Sequence, residues 1–241
     1  METKFTDKEI TEELELLKVK INTSTGMTRI ITPSLLRKDE LLLLKDVLVP
    51  TKFIDLNFGD YKEFVSAKQF EKIEKYIKNF WKNITNGRGI FFSGPVGTGK
   101  TSFATLLTKM AFSFFKQHSF WKEYKDKTYT KENTITSVYF WQSGKILMDY
   151  FGDKKEFQRI VEKPFLVIDD IGKVKQDIYV DALDFILRYR DMNELPTIIT
   201  SQIPLTHNDF KEVFGLPIFD LISGNCKEIK LIGKSRRAGK K

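Results

Sequence analysis

Short apolar runs alternate with longer amphipathic stretches through the central and C-terminal parts of the chain. Five runs have the length and composition of strands, and they occur at 90–93, 137–141, 165–169, 197–201 and 228–231. Helical periodicity fills the segments between them, at 100–117, 143–162, 177–191 and 206–214. Strands that alternate with helices in this way predict an α/β fold with a parallel sheet covered on both faces.

The N-terminal part of the chain predicts helices only. Residues 1–48 read as two helices, because apolar side chains recur at helical spacing behind a capping box and a second start follows at Pro33. The apolar positions of the first helix are Ile10, Leu14, Leu17 and Ile21. A further amphipathic helix is predicted over 66–82. Its apolar face would carry Phe70, Ile73, Ile77 and Trp81.

This pattern divides the chain into three parts. Residues 1–48 form a helical N-terminal segment whose leucine-rich faces either pack on the main domain or dock on a partner protein. Residues 49–237 form the α/β domain, and residues 238–241 form a basic tail.

Composition narrows the class of protein. The chain has 241 residues, of which 41% are hydrophobic and 30% charged, as in an ordinary folded domain. Its single cysteine, Cys226, and its two histidines argue against a disulfide framework and a structural zinc site. No apolar run is long enough to span a bilayer, and the N-terminus lacks the pattern of a signal peptide. We therefore expect a cytoplasmic location and no membrane partner.

The charge is uneven along the chain. The net charge is +8, and residues 226–241 carry seven basic side chains against one acidic side chain. A basic end on a weakly basic body suits a polyanion such as nucleic acid, although a solvated tail has the same composition.

Residues 94–101 match the phosphate-binding pattern G-x-x-x-x-G-K-[ST] between a predicted strand and a predicted helix. Glycines let backbone N–H groups curl around phosphate oxygens, and the helix N-terminus adds partial positive charge. Lys100 would reach the β- and γ-phosphates, and the Thr101 hydroxyl would bind Mg²⁺. The predicted nucleotide-binding residues are Gly94, Pro95, Val96, Gly97, Thr98, Gly99, Lys100, Thr101 and Ser102.

Polar residues end the next two strands of interest. Four apolar residues lead into Asp169 and Asp170, which predicts a buried strand whose tip meets the phosphate loop. Asp169 would hold Mg²⁺, and Asp170 would orient or deprotonate the attacking water. The strand at 197–201 ends in Ser201 and Gln202, and either side chain would lie near the γ-phosphate as a catalytic sensor. Together these motifs predict binding and hydrolysis of ATP with Mg²⁺.

The chain resembles the AAA+ ATPases of the DnaC/IstB group, which includes helicase loaders and transposition helper ATPases. The resemblance covers about three quarters of the chain and rests on six matching stretches. These are 49–53, 79–89, 94–101, the Asp-Asp-Ile-Gly of 169–172 with the Leu-Pro-Thr-Ile-Ile-Thr-Ser-Gln of 195–202, and the Gly-Lys-Ser-Arg-Arg of 233–237. It implies a five-stranded parallel sheet of order 5-1-4-3-2 and a reduced lid.

The resemblance also assigns residues. Arg237 would be a nucleotide-sensing arginine in the catalytic site, and Arg190 matches a recurring arginine of the family. Residues 142–162 would form the extra helix of the initiator and loader proteins. Phe151 and Tyr179 fall where such loaders contact single-stranded DNA, although core packing explains either residue equally well.

One position departs from the family. Relatives carry an arginine that reaches the neighbouring subunit's γ-phosphate, and Leu221 stands at that position here. Such an arginine is typically worth a factor of about 10³ to 10⁵ in turnover. The chain therefore hydrolyses ATP slowly, uses another basic residue such as Arg188, or caps an assembly without forming a full ring of copies.

Three functions remain open at this stage. The leading one is a DnaC-like loader of the replicative helicase in DNA replication, with single-stranded DNA and the helicase as partners. The second is an IstB-like transposition helper that binds duplex DNA and a transposase. The third is an ATP-binding scaffold with little turnover.

Segment 119–135 interleaves aromatic residues with lysines, which suits single-stranded nucleic acid or a solvated loop.

Overall fold

The computed structural model describes most of the α/β domain and a few residues before it. The described residues are 19–22, 28–31, 44–45, 48–53, 65–117, 137–172, 177–233 and 235. Arg237, segment 119–135 and most of 1–48 lie outside them.

A five-stranded parallel sheet organises the domain. Its strands are β3 (Gly89–Ser93), β4 (Val138–Gln142), β5 (Phe165–Ile171), β6 (Thr197–Ser201) and β7 (Cys226–Lys230). They lie in the order β4-β5-β6-β3-β7, with every neighbouring pair parallel. Numbered from β3 as the first strand, this is the order 5-1-4-3-2, so the predicted fold class is confirmed.

Seven α-helices are described around the sheet. They are α1 (Ala67–Lys78), α2 (Phe80–Thr85), α3 (Lys100–Gln117), α4 (Ser143–Phe151), α5 (Lys154–Val161), α6 (Asp177–Met192) and α7 (Asn208–Asn225). None of the helices in the described part of the chain is long and apolar enough to cross a membrane.

Each face of the sheet has its own apolar core, because side chains alternate along a strand. On β3, Phe92 packs in the core that α1 and α3 cover, whereas Phe91 packs in the core under α6 and α7. Both side chains are fully buried. A strand buried on both faces reads as a continuous apolar run, which is why the strands were recognisable in the sequence.

Two predicted helices have different bounds in the structure. The helix predicted over 143–162 is two helices, since the Asp153 side chain accepts hydrogen bonds from the first-turn amides of α5 and so starts a new helix. The last helix extends far beyond residue 214, to Asn225. It continues through a kink at Gly215, whose φ of 77° is in the left-handed region, and resumes with Pro217 in the new first turn.

The prediction of helices alone in the N-terminal segment is wrong for residues 19–22 and 28–31. These residues form an antiparallel pair of strands, β1 (Val19–Asn22) and β2 (Thr28–Ile31). Ile21 was assigned to a helix because its spacing from Leu17 fits a helical repeat. The run from Val19 to Asn22 also alternates apolar and polar residues, and cross-strand pairing decides in favour of that period.

Candidate nucleotide-binding site

The phosphate loop joins the carboxyl end of β3 to the first turn of α3. Its three glycines, Gly94, Gly97 and Gly99, all have φ between 84° and 135°, a region that other residues rarely adopt. A side chain at Gly94 would collide with the Leu231 carbonyl, and one at Gly97 would collide with the Ser235 hydroxyl. The backbone of the loop therefore packs closely against the C-terminal stretch that contains Leu231 and Ser235.

Lys100 is held inside this loop. Its Nζ donates hydrogen bonds to the carbonyl oxygens of Gly94 and Pro95, at 2.6 and 2.8 Å, and the residue is buried. The ammonium group thus lies within the curve that the loop forms. This is the position from which a lysine can bind phosphate oxygens.

Asp169 lies beside the start of α3 and connects three elements. The Thr101 hydroxyl donates to both of its carboxylate oxygens, at 3.0 and 3.2 Å. On β6, the Thr200 hydroxyl donates to Oδ1 at 2.7 Å. The sheet order makes this possible, since β5 and β6 are neighbours and end at the same edge.

Burial sets the protonation behaviour of Asp169. Only 8% of the residue is exposed, and desolvation raises the pKa of its carboxyl group above the ordinary value. The hydroxyls of Thr200 and Thr101 oppose that effect by hydrogen-bonding to the charged form. A divalent cation at this carboxylate would oppose it further, because the cation stabilises the ionised acid.

Asp170 has an unusual backbone conformation. The ladder between β5 and β6 is irregular between Ile168 and Ile171, and Asp170 has a φ of 65°. Its amide donates to Thr200 Oγ1 at 2.8 Å, and its carbonyl accepts from the Ser143 hydroxyl at 2.8 Å. Backbone strain of this kind persists only where the surroundings fix it, and it is concentrated at functional sites.

Gln202 lies beside Asp170, and its predicted role as a catalytic sensor stays a prediction. Its Nε2 donates to Asp170 Oδ1 at 3.3 Å, and the side chain is exposed at the sheet edge. Ser201, the other candidate sensor, is buried, and its hydroxyl donates to the Ile171 carbonyl at 3.2 Å. Gln202 is therefore the residue whose side chain is available to a ligand beside Asp170.

These residues fit Mg²⁺ and ATP by two observations. The three glycines of the loop leave its backbone free of their own side chains, and the Lys100 ammonium group lies within the curve of the loop. The Thr101 hydroxyl and the Asp169 carboxylate supply the hard oxygen ligands that Mg²⁺ prefers.

The C-terminal stretch runs along the back of the phosphate loop. The Leu231 amide donates to the Ser93 carbonyl at 2.7 Å, and Ser235 lies against Gly97. Arg237 lies outside the described residues, so its role stays a prediction.

The other residues named from the sequence differ in burial, which decides whether each could contact a ligand. Of the two interpretations of Tyr179, the structure supports core packing, because this residue of α6 is fully buried and no base could stack on it. Phe151 is 64% exposed at the end of α4 and is available for stacking. Arg190 is buried in a structural role, and Arg188 is exposed and paired with Asp184 at 2.6 Å.

Two residues of the site were missed by the sequence reading. Thr200 bonds Asp169 and the Asp170 amide, and Ser143 bonds the Asp170 carbonyl. A signal existed for both: each is a hydroxyl residue at or just after the carboxyl end of a strand in a parallel sheet, where ligands bind.

Solved structures with the same fold come from DNA replication proteins. A crystal structure of the DnaC helicase loader matches with a TM-score of 0.54 and 20% identity, over 76% of this chain and 100% of that chain. A primosome component from Streptococcus pyogenes serotype M3 matches with a TM-score of 0.58 and 19% identity, over 83% and 100% of the two chains.

A third match includes ligands. The replication initiator DnaA bound to AMPPCP and single-stranded DNA has a TM-score of 0.51 and 14% identity, over 77% of this chain and 51% of that chain. No protein-family model matches the chain, and no curated protein does either. At these identities the matches show a shared fold. That fold is the α/β fold with a five-stranded parallel sheet described above.

Proposed function

We propose that this chain is an ATPase that binds Mg²⁺ and ATP at the carboxyl edge of its sheet and loads a replicative helicase onto single-stranded DNA. The observation that carries the proposal is the bonded group of Thr101, Asp169, Thr200, Asp170 and Gln202 beside the phosphate loop. The proposal is also supported by the fold, which matches the whole length of a helicase loader structure.

Each residue has a part in ATP hydrolysis. Lys100 and the loop amides bind the phosphates, and Arg237 senses the bound nucleotide from the adjoining C-terminal stretch. Thr101 and Asp169 hold Mg²⁺, which would neutralise charge on the transferred phosphate. Asp170 accepts a proton from the attacking water, and the Gln202 amide fixes the Asp170 carboxylate so that it faces this water.

Single-stranded DNA fits an exposed aromatic position near the site. Phe151 ends α4, and Lys154 and Lys155 begin α5 three and four residues later. All three are exposed. An aromatic ring beside cations binds single strands without reading sequence, because every base can stack and every phosphate attracts a cation.

We expect slow turnover in the isolated protein. Leu221 is half-buried on α7, where the resemblance expects an arginine that acts on a neighbouring copy. No basic residue lies between 212 and 226 in the sequence. A basic side chain of the helicase or of a second copy would then supply the missing cation and stimulate hydrolysis.

The test is ATP-dependent transfer of the replicative helicase from the same genome onto circular single-stranded DNA. We expect helicase on the circle only with this chain and ATP present, and none with Lys100→Ala. Failure of wild type to place helicase on DNA would contradict loading. ATP-dependent binding that favours duplex over single-stranded DNA would instead indicate the transposition helper.

A further inference from the structure

A basic cavity lies at the end of the sheet opposite the phosphate loop. Its volume is 480 Å³, and its cations are Lys75, Lys82, Arg88 and Lys227. They come from α1, α2, the turn before β3 and the start of β7. The amino ends of β3 and β7 line this cavity, whereas the phosphate loop follows the carboxyl end of β3. The five residues of β3 separate the two sites by about 15 Å.

Among the residues that the structure describes, the lysines of this cavity have no acidic partners. No Asp or Glu lines it, and Lys75, Lys82 and Lys227 make no ion pair with any described residue. On the same helix, Lys78 pairs with Glu74 at 3.0 Å. Unpaired cations that converge on one concave surface raise its positive potential and attract anions.

Arg88 and the neutral side chains around the cavity hold its wall in place. Arg88 donates a hydrogen bond to the Gly224 carbonyl, and its own carbonyl accepts from the Tyr76 hydroxyl at 2.8 Å. The amides of Asn79 and Asn83 donate to backbone carbonyls of α1. The wall is therefore fixed by bonds within the protein, while the three lysines remain available to a ligand.

A phosphate backbone suits this lining better than a protein partner does. Protein interfaces rely on apolar or aromatic anchors at their centre. None of the exposed large apolar side chains of the described residues lines the cavity, and Tyr76 is only 4% exposed. Several lysines without an apolar anchor are typical of sites that bind nucleic-acid phosphates regardless of sequence.

We propose that the basic cavity binds the phosphate backbone of single-stranded DNA, as a contact separate from Phe151 and from the ATP site. The proposal rests on the DNA-acting function above and adds a second place where the strand is held. Backbone contacts here would secure the strand without reading its sequence.

The test compares two double variants with equal loss of charge. Lys75→Gln with Lys82→Gln removes two cations of the cavity. Lys68→Gln with Lys72→Gln removes two exposed lysines of α1 that lie outside it. Affinity for a fluorescent oligothymidine would be measured by anisotropy over a series of salt concentrations. Thermal unfolding and ATP affinity would be measured alongside.

We expect the cavity variant to bind on the order of tenfold more weakly and to lose about 1.4 from the salt slope, since each single-strand phosphate contact contributes about 0.7. The control should keep the wild-type slope, and both variants should bind ATP normally. An equal loss in both variants, or an unchanged cavity variant, would overturn the inference and leave the proposed function standing. A wild type that does not bind the oligonucleotide would overturn both.

Discussion

Two buried charges, Asp169 and Arg190, lie at opposite ends of the same sheet and are held in different ways. Asp169 accepts hydrogen bonds from the hydroxyls of Thr101 and Thr200. Arg190 donates to three main-chain carbonyls and to the Thr197 hydroxyl, at 2.5 to 2.8 Å. The acid is held by side chains of a ligand-binding edge, and the arginine is held by the backbone of the fold.

Burial disfavours the charged form of both side chains. Burial lowers the pKa of Arg190 to about 9, and it raises the pKa of Asp169. Hydrogen bonds within the protein offset this effect for the Arg190 guanidinium. Their acceptors are carbonyls at the end of α5, just after α5 and just before β6. The hydroxyl hydrogen bonds offset the effect of burial on the Asp169 carboxylate only in part, and a bound cation would offset the rest. A buried charge with an incomplete set of partners at a sheet edge is thus the one that indicates function.

The largest expected effect comes from removing the arginine. Arg190→Met leaves three buried carbonyls without donors, and each costs about 1 to 3 kcal/mol. We expect the free energy of unfolding to fall by at least about 3 kcal/mol, measured by chemical denaturation. Arg188→Met is the matched control, since Arg188 is exposed and should hardly affect stability. Equal losses in the two variants would remove the structural half of the comparison.

Removing the phosphate-loop cation should abolish function without harming the fold. Lys100→Ala loses a charge-assisted contact worth about 1.5 to 3 kcal/mol, so ATP affinity should fall about 10- to 100-fold. Calorimetric titration of ATP measures this affinity directly. Unchanged affinity would show that nucleotide binds elsewhere, and Lys68→Ala serves as a control on an exposed surface.

Asp170→Asn should separate binding from hydrolysis. An amide cannot accept the proton of the attacking water, and general-base catalysis contributes about 10² to 10⁴ in rate. We expect turnover to fall by about that factor while ATP stays bound, as single-turnover measurements would record. Ser201→Ala alters a hydroxyl of the neighbouring strand that bonds only within the sheet edge, so its turnover should remain near wild type. Normal turnover in Asp170→Asn would move the base to another residue.

The smallest expected effect is a gain in stability from Asp169→Asn. Because burial raises the folded-state pKa of this acid, its ionised form disfavours folding. Its contribution to stability is therefore most favourable at low pH and declines as pH rises through the raised pKa. The variant should have a higher melting temperature than wild type at neutral pH, and the difference should shrink in acidic buffer. The same variant should lose ATP turnover. A lower melting temperature at neutral pH would contradict the assigned cost.

The sequence predicts the residues of the candidate ATP site, but it does not predict the structural role of Arg190. The residues of the phosphate loop and the pair Asp169 and Asp170 stand in contiguous motifs next to strands, so local pattern identifies them. The role of Arg190 depends on the carbonyls of Val161 and Lys163, which precede it by 29 and 27 residues in the sequence. Only the packed fold brings them together.

Helix faces and competing periods explain the remaining differences between prediction and structure. Tyr179 was a candidate for DNA contact because the resemblance gave its place along the chain, but not which side of α6 it occupies. Residues 19–22 fit both a helical and a strand repeat over a length too short to decide. Thr200 lies within a strand that was predicted correctly, yet its bond to Asp169 follows only from β5 and β6 being neighbours.

The most direct test is thermal unfolding of wild type and Lys100→Ala with and without Mg²⁺ and ATP. At a ligand concentration near 100 times Kd, binding adds about 2.7 kcal/mol, which should raise the wild-type Tm by roughly 5 to 11 °C. The account predicts that shift in wild type, a smaller shift without Mg²⁺, and a shift at most about half as large in Lys100→Ala, since a 10- to 100-fold weaker affinity leaves about 1.4 to 0.4 kcal/mol of stabilisation. No shift in wild type, or equal shifts in both proteins, would contradict a nucleotide site at the carboxyl edge of this sheet.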